Sequence, residues 1–116
     1  MRKAVMFSTV LMMVFAFSLS GVVAGQNKGA KEMKLSGGSK GEVPFTHSKH
    51  QERLGDCNIC HSLFPQSPGT IDANKQKGDL KKKQVMNKLC IKCHKAEKKK
   101  GNAYGPVSCS KCHIKK

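Results

Sequence analysis

Three pentapeptides share one pattern: Cys57-Asn58-Ile59-Cys60-His61, Cys90-Ile91-Lys92-Cys93-His94 and Cys109-Ser110-Lys111-Cys112-His113. Thiols three positions apart lie on one side of a helical turn, and the next residue projects from that same side. The pattern suits covalent haem, in which two thiols add to the vinyl groups of a porphyrin while the adjacent imidazole binds iron. Zinc would use the cysteines in fours and leave the histidines that follow them unexplained. An even count of cysteines in an exported chain ordinarily reads as disulfides, but this spacing points elsewhere. Cys57, Cys60, Cys90, Cys93, Cys109 and Cys112 are thus expected to hold three c-type haems, with His61, His94 and His113 on their irons. Two histidines, His47 and His50, lie outside the motifs. Three positions apart on a helical turn, they project in adjacent directions and can reach different irons. The bland reading makes them surface histidines; as the spare imidazoles beside irons that need sixth ligands, they read better as ligands.

The elements that must position these groups follow in chain order. Arg2 and Lys3 precede an uncharged run from Ala4 to Leu19 and a small-residue stretch ending at Ala24, the order of a secretory signal peptide spanning 1–24. The uncharged run is sixteen residues, below the ~20 needed to span a bilayer, so cleavage and export to the periplasm are expected. Residues 25–31 read as a flexible tail and 32–116 as one haem-binding domain. Glu32-Met33-Lys34-Leu35 and Glu42-Val43-Pro44-Phe45 alternate polar with apolar around a Gly/Ser-rich turn, which predicts a two-stranded hairpin with Pro44 on an edge. Thr46 to Leu54 predicts a short helix, capped by Thr46 and stopped by Gly55. Residues 62–78, rich in Pro, Gly, Ser and Asn, read as a surface loop. Asp79 is expected to cap a lysine-rich helix over Leu80 to Leu89, and Gly101 to Pro106 to turn the chain before the last motif. The unequal intervals between motifs exclude a solenoid.

After removal of Arg2 and Lys3, the 22 basic residues become 20 against 7 acidic ones, a formal charge of +13. Trp is absent and Tyr104 is the one tyrosine, so a chain this short has little with which to build a core. Three porphyrins would supply it, with Met33, Leu35, Val43, Phe45, Leu54, Ile59, Leu63, Leu89 and Ile91 packed on them. The fold class expected is a small, mostly α and irregular multihaem domain with an N-terminal hairpin and a core of three covalent haems, folding with its cofactors. Lys81-Lys82-Lys83, Lys98-Lys99-Lys100 and Lys115-Lys116 are candidate docking surfaces for acidic redox partners, against the plainer reading of a solvated face. Nucleic acid is a poor partner, given export and the lack of aromatic interleaving.

From Met33 to Lys116 the chain resembles the cytochrome c7 trihaem proteins of the class III cytochrome c group, found in metal- and sulfur-reducing bacteria. The likeness rests on the hairpin entering Val43-Pro44-Phe45-Thr46-His47-Ser48-Lys49-His50, the three motifs, and the Gly105-Pro106 turn. It implies that His47 pairs with His61 on the first haem and His50 with His94 on the second. It also implies a monomeric, non-catalytic periplasmic electron carrier that serves other multihaem cytochromes in anaerobic respiration. Two departures stand out. The segment between His61 and Cys90 is longer than the family leads one to expect. The third haem's distal ligand in the family is a histidine four residues before the second motif, and here that position is Met86. Met86 is the favoured sixth ligand opposite His113, with Met33, a lysine, water or an open site as alternatives. An open third haem would make direct reduction of a metal ion or small molecule the rival function.

Overall fold

The computed structural model describes residues 27–115; the expected signal peptide, Gly25 and Gln26 of the expected tail, and Lys116 of the last lysine pair lie outside them. Strands β1 (Met33–Leu35) and β2 (Val43–Phe45) pair antiparallel, Met33 with Phe45 and Leu35 with Val43. Alternation explains the pairing: Met33, Leu35, Val43 and Phe45 are half-buried on one face, while Lys34 and Pro44 are exposed on the other. The turn between the strands holds a 3-10 segment at Gly38–Lys40.

Helix α1 (His47–Leu54) follows β2 directly and stops at Gly55, whose φ of +68° is the left-handed region that favours glycine. The expected Thr46 cap is not made through its side chain. Instead the Thr46 carbonyl accepts both the His50 N–H, at 3.3 Å, and the His50 ring. Nor is the segment before β1 loose from Lys28 onward. Gln51 Nε2 donates to Lys28 O at 2.7 Å and Ser48 N to Lys31 O at 2.9 Å, binding it to α1.

Two expectations are corrected in the middle of the chain. Residues 62–78 are not all loop, because Thr70–Lys77 forms helix α3, after a short α2 at Asn58–His61. Glycines at 69 and 78 bracket α3, and Thr70 Oγ1 donates to Pro65 O at 3.0 Å. The Leu80 N–H then bonds Asn74 O at 3.1 Å, and Leu80, 4% exposed, is the one buried hydrophobic residue among the described residues. Leu80 to Lys83 are therefore not helical, and Asp79 caps nothing there. Gln84 starts the next helix by reaching back to accept the Lys81 N–H at 2.9 Å. That helix does not end at Leu89 but widens into a π turn at Met86–Cys90 and continues as α4 (Ile91–Lys100). The second Cys-x-x-Cys-His motif is thus embedded in one continuous helical stretch.

After the expected turn comes α5 (Cys109–Cys112), and Ile114 then bridges back to Glu42, donating its N–H to Glu42 O at 2.8 Å. The C-terminal motif is thereby laid on the hairpin. Met33, Leu35, Val43, Phe45, Leu54, Leu63, Leu89 and Ile91 stay half-exposed and Ile59 is 40% exposed. The polypeptide alone has almost no core.

Candidate functional site

Each motif starts or lies within a helix, so its thiols share a face as the spacing requires. Cys57 precedes α2, Cys90 closes the π turn, and Cys109 opens α5. Burial pushes the Cys90 thiol up; a backbone hydrogen bond opposes this, and Cys60, Cys112 and Cys93 add to it. The six thiols are free, and among the described residues no group of three or more His, Cys, Asp or Glu side chains could hold a metal ion.

The histidines are arranged more tightly than the motifs demand. His47 Nδ1 lies 2.9 Å from Ala30 O, His50 Nδ1 2.8 Å from Thr46 O and His61 Nδ1 3.2 Å from Phe64 O. His94 Nδ1 lies 2.7 Å from Pro106 O and His113 Nδ1 3.1 Å from Gly41 O. A carbonyl can only accept, so each Nδ1 carries the proton and each Nε2 keeps a lone pair for a metal. All five histidines of the chain are prepared in this way.

Four of the five also face one another. Ring centres are 6.3 Å apart for His47 and His61, and 6.2 Å for His50 and His94. Two metal–nitrogen bonds of about 2 Å plus the ring radii give roughly 6 Å, so one iron fits between each pair. Phe45 on β2 lies against the two α1 histidines, 4.4 Å from the His50 ring and 5.9 Å from that of His47, and Phe64 lies 5.1 Å from His61. Glycines back the other rings. A Cβ at Gly105 would run into the His94 ring, and one at Gly37 into His113 and the Gly41 carbonyl. These residues fit haem iron between paired imidazoles.

His113, the fifth histidine, has no imidazole left to face it. Met86 is half-buried at the first position of the π turn, and Met33 is half-buried on β1. Sequence reasoning missed the carbonyl acceptors and the role of Gly37. Backbone acceptors leave no trace in side-chain types, whereas the Gly105-Pro106 pair was visible as a turn.

The model of cytochrome c7 and related cytochrome c matches residues 43–114. A cytochrome c7 of Geobacter metallireducens is 32% identical over 102 residues, covering 88% of this chain and 96% of the relative. A cytochrome c3 of Desulfuromonas acetoxidans is 36% identical over 76 residues, 66% of this chain and 87% of the relative. A solved structure from the triheme cytochrome family of Geobacter sulfurreducens superposes with a TM-score of 0.50 at 30% identity, covering 74% of this chain and all of that one.

Proposed function

The chain belongs to the family of cytochrome c7 and related cytochromes c, a multihaem electron-transfer protein with three c-type haems, and from that premise we propose that it carries electrons in the periplasm between multihaem redox partners of anaerobic respiration. The covalent attachments are assigned to Cys57 with Cys60, Cys90 with Cys93, and Cys109 with Cys112. His47 and His61 would hold the iron of the first haem, His50 and His94 that of the second, and His113 with Met86 that of the third. The arrangement of the imidazoles carries this reading: five Nδ1 protons committed to carbonyls and two pairs of rings at the separation an iron requires.

Bound haem supplies one-electron chemistry, with iron alternating between ferric and ferrous states. The chain holds each ring in one tautomer and orientation, so little rearrangement accompanies a change of charge. Its excess of lysine gives the chain a positive potential that favours encounter with acidic surfaces. Residues 1–24 are proposed to direct export and 32–116 to form the haem domain.

One observation favours a second reading. Because His113 lacks an imidazole opposite it, the third haem is the place where a small molecule or metal ion would be reduced directly if Met86 does not ligate. The test is a titration of purified holoprotein with haem count, potentials and carbon monoxide uptake read together. Three haems per denatured chain are expected, with no prompt carbon monoxide binding at the first two sites but only slow uptake limited by release of an imidazole. Fewer than three covalent haems would overturn the assignment of the cysteines.

A further inference from the structure

The second imidazole pair is built from elements far apart in the chain: His50 comes from α1 and His94 from α4. The first pair needs less help, since α2 follows α1 after three residues and the 28–31 segment is bonded to α1. On the second pair's side, Arg53 lies three residues beyond His50 and Glu97 three beyond His94. Positions i and i+3 share a helix face, so whatever joins Arg53 to Glu97 spans the same gap one turn further along. Arg53 Nη2 donates to Glu97 Oε2 at 2.8 Å. The carboxylate is aimed from its own side by Asn102 Nδ2, at 2.9 Å from Oε2, and Lys100 Nζ, at 3.3 Å from Oε1. Asn102 N further caps α4 at Glu97 O, at 3.0 Å.

We propose that Arg53 and Glu97 are positioning residues for the second haem, an ionic clamp that sets the separation of α1 from α4 and so keeps His50 within reach of iron. The proposal rests on the reading of His50 and His94 as the axial pair. The haem is anchored to the α4 side through Cys90 and Cys93, whereas His50 arrives on a helix that shares no covalent link with it. Loosening α1 therefore releases His50 rather than His94. An exposed ion pair contributes modestly and is weakened by salt. A modest effect is enough, because opening of one intramolecular ligand bond is read directly as accessibility of the iron.

The experiment measures carbon monoxide binding to the reduced, full trihaem protein, by stoichiometry and by rate at the second haem. His50→Ala calibrates it and is expected to bind one more carbon monoxide per chain promptly than the parent, whose second haem takes it up only slowly. Arg53→Ala and Glu97→Gln should each speed binding at the second haem by on the order of two- to fivefold. Arg53→Lys, which keeps a donor, should stay near the parental rate. The two neutralising variants change net charge in opposite senses, so a clamp moves both rates the same way and a purely electrostatic effect moves them apart. If His50→Ala takes up no additional carbon monoxide promptly, the axial assignment fails and the clamp with it. If it does while Arg53→Ala and Glu97→Gln keep the parental rate or diverge, the clamp is overturned and the assignment stands.

Discussion

The five histidines share the same kind of Nδ1 bond and differ in their neighbours: four have another imidazole ring centred 6.2 or 6.3 Å away, and His113 is in neither pair. Thioether is a softer, weaker donor than imidazole and favours ferrous iron. If Met86 faces His113, the third haem has the highest potential of the three and holds the first electron. Met86→His should then lower that potential and abolish the near-infrared charge-transfer band of methionine-bound ferric haem, which redox titration and absorption spectra would read. Unchanged spectra and potentials in Met86→Ala would return Met86 to core packing. A second residue-scale outcome follows from the glycine against His94. A Cβ at Gly105 has no room beside the ring, so Gly105→Ala should disturb the second haem's ligation while leaving the first intact, as seen by nuclear magnetic resonance of the haem methyls.

At the scale of elements, the corrected middle of the chain has a common cause. Helix α3 has no apolar stripe, so its sequence lacks the period that announces a helix; its ends are set by glycines and its flank by the buried Leu80. The π turn at Met86–Cys90 widens the helix directly before the second motif, a local rearrangement that composition does not foretell. The ends of α1 and α4 also give a pH dependence. Hydrogen bonds from Asn102, Arg53 and Lys100 hold the Glu97 carboxyl well below its usual value of 4.5, at about 2. A carboxylate with a depressed folded pKa adds stability that is fully present above the unfolded value and lost as pH falls toward the folded one. The difference in thermal midpoint between the parent and Glu97→Gln should be constant above about pH 5 and shrink between 4.5 and 2. A difference that persists unchanged at the acid end would assign it to packing.

For the molecule as a whole, the contrast is between a defined histidine framework and a polypeptide with a single buried hydrophobic residue among the described residues. Porphyrin surface must supply the missing apolar contact, and folding is then coupled to attachment. Replacing Cys90 and Cys93 is expected to remove one haem and to lower the helical circular dichroism well beyond the loss of one motif. Native-like secondary structure in a chain stripped of haem would refute that coupling. The charge acts at the same scale. Lysine potential is screened over ~8 Å at physiological ionic strength, so electron transfer to an acidic partner should slow as salt rises. Lys100 is paired with Glu97 and Lys98 lies 5.6 Å from the Tyr104 ring centre. Within that run, charge reversal at Lys99 is therefore expected to slow encounter more cleanly than changes at its neighbours.

Haem number and family were legible in the sequence because the Cys-x-x-Cys-His pattern is local, complete within five consecutive residues each time. The hairpin was legible too, since strand alternation and a Gly/Ser-rich turn are short-range signals. His47 and His50 stood out as spare imidazoles, but no spacing says which iron each should face. Their facing rings belong to His61 and His94, brought there by the stop at Gly55 and by the long passage through α3 and the π turn. The carbonyls of Ala30, Gly41 and Pro106 that fix the rings come from the N-terminal segment, the hairpin turn and the last turn. Tertiary structure alone could decide these, because a carbonyl has no side-chain identity and its placement depends on the path of the whole backbone.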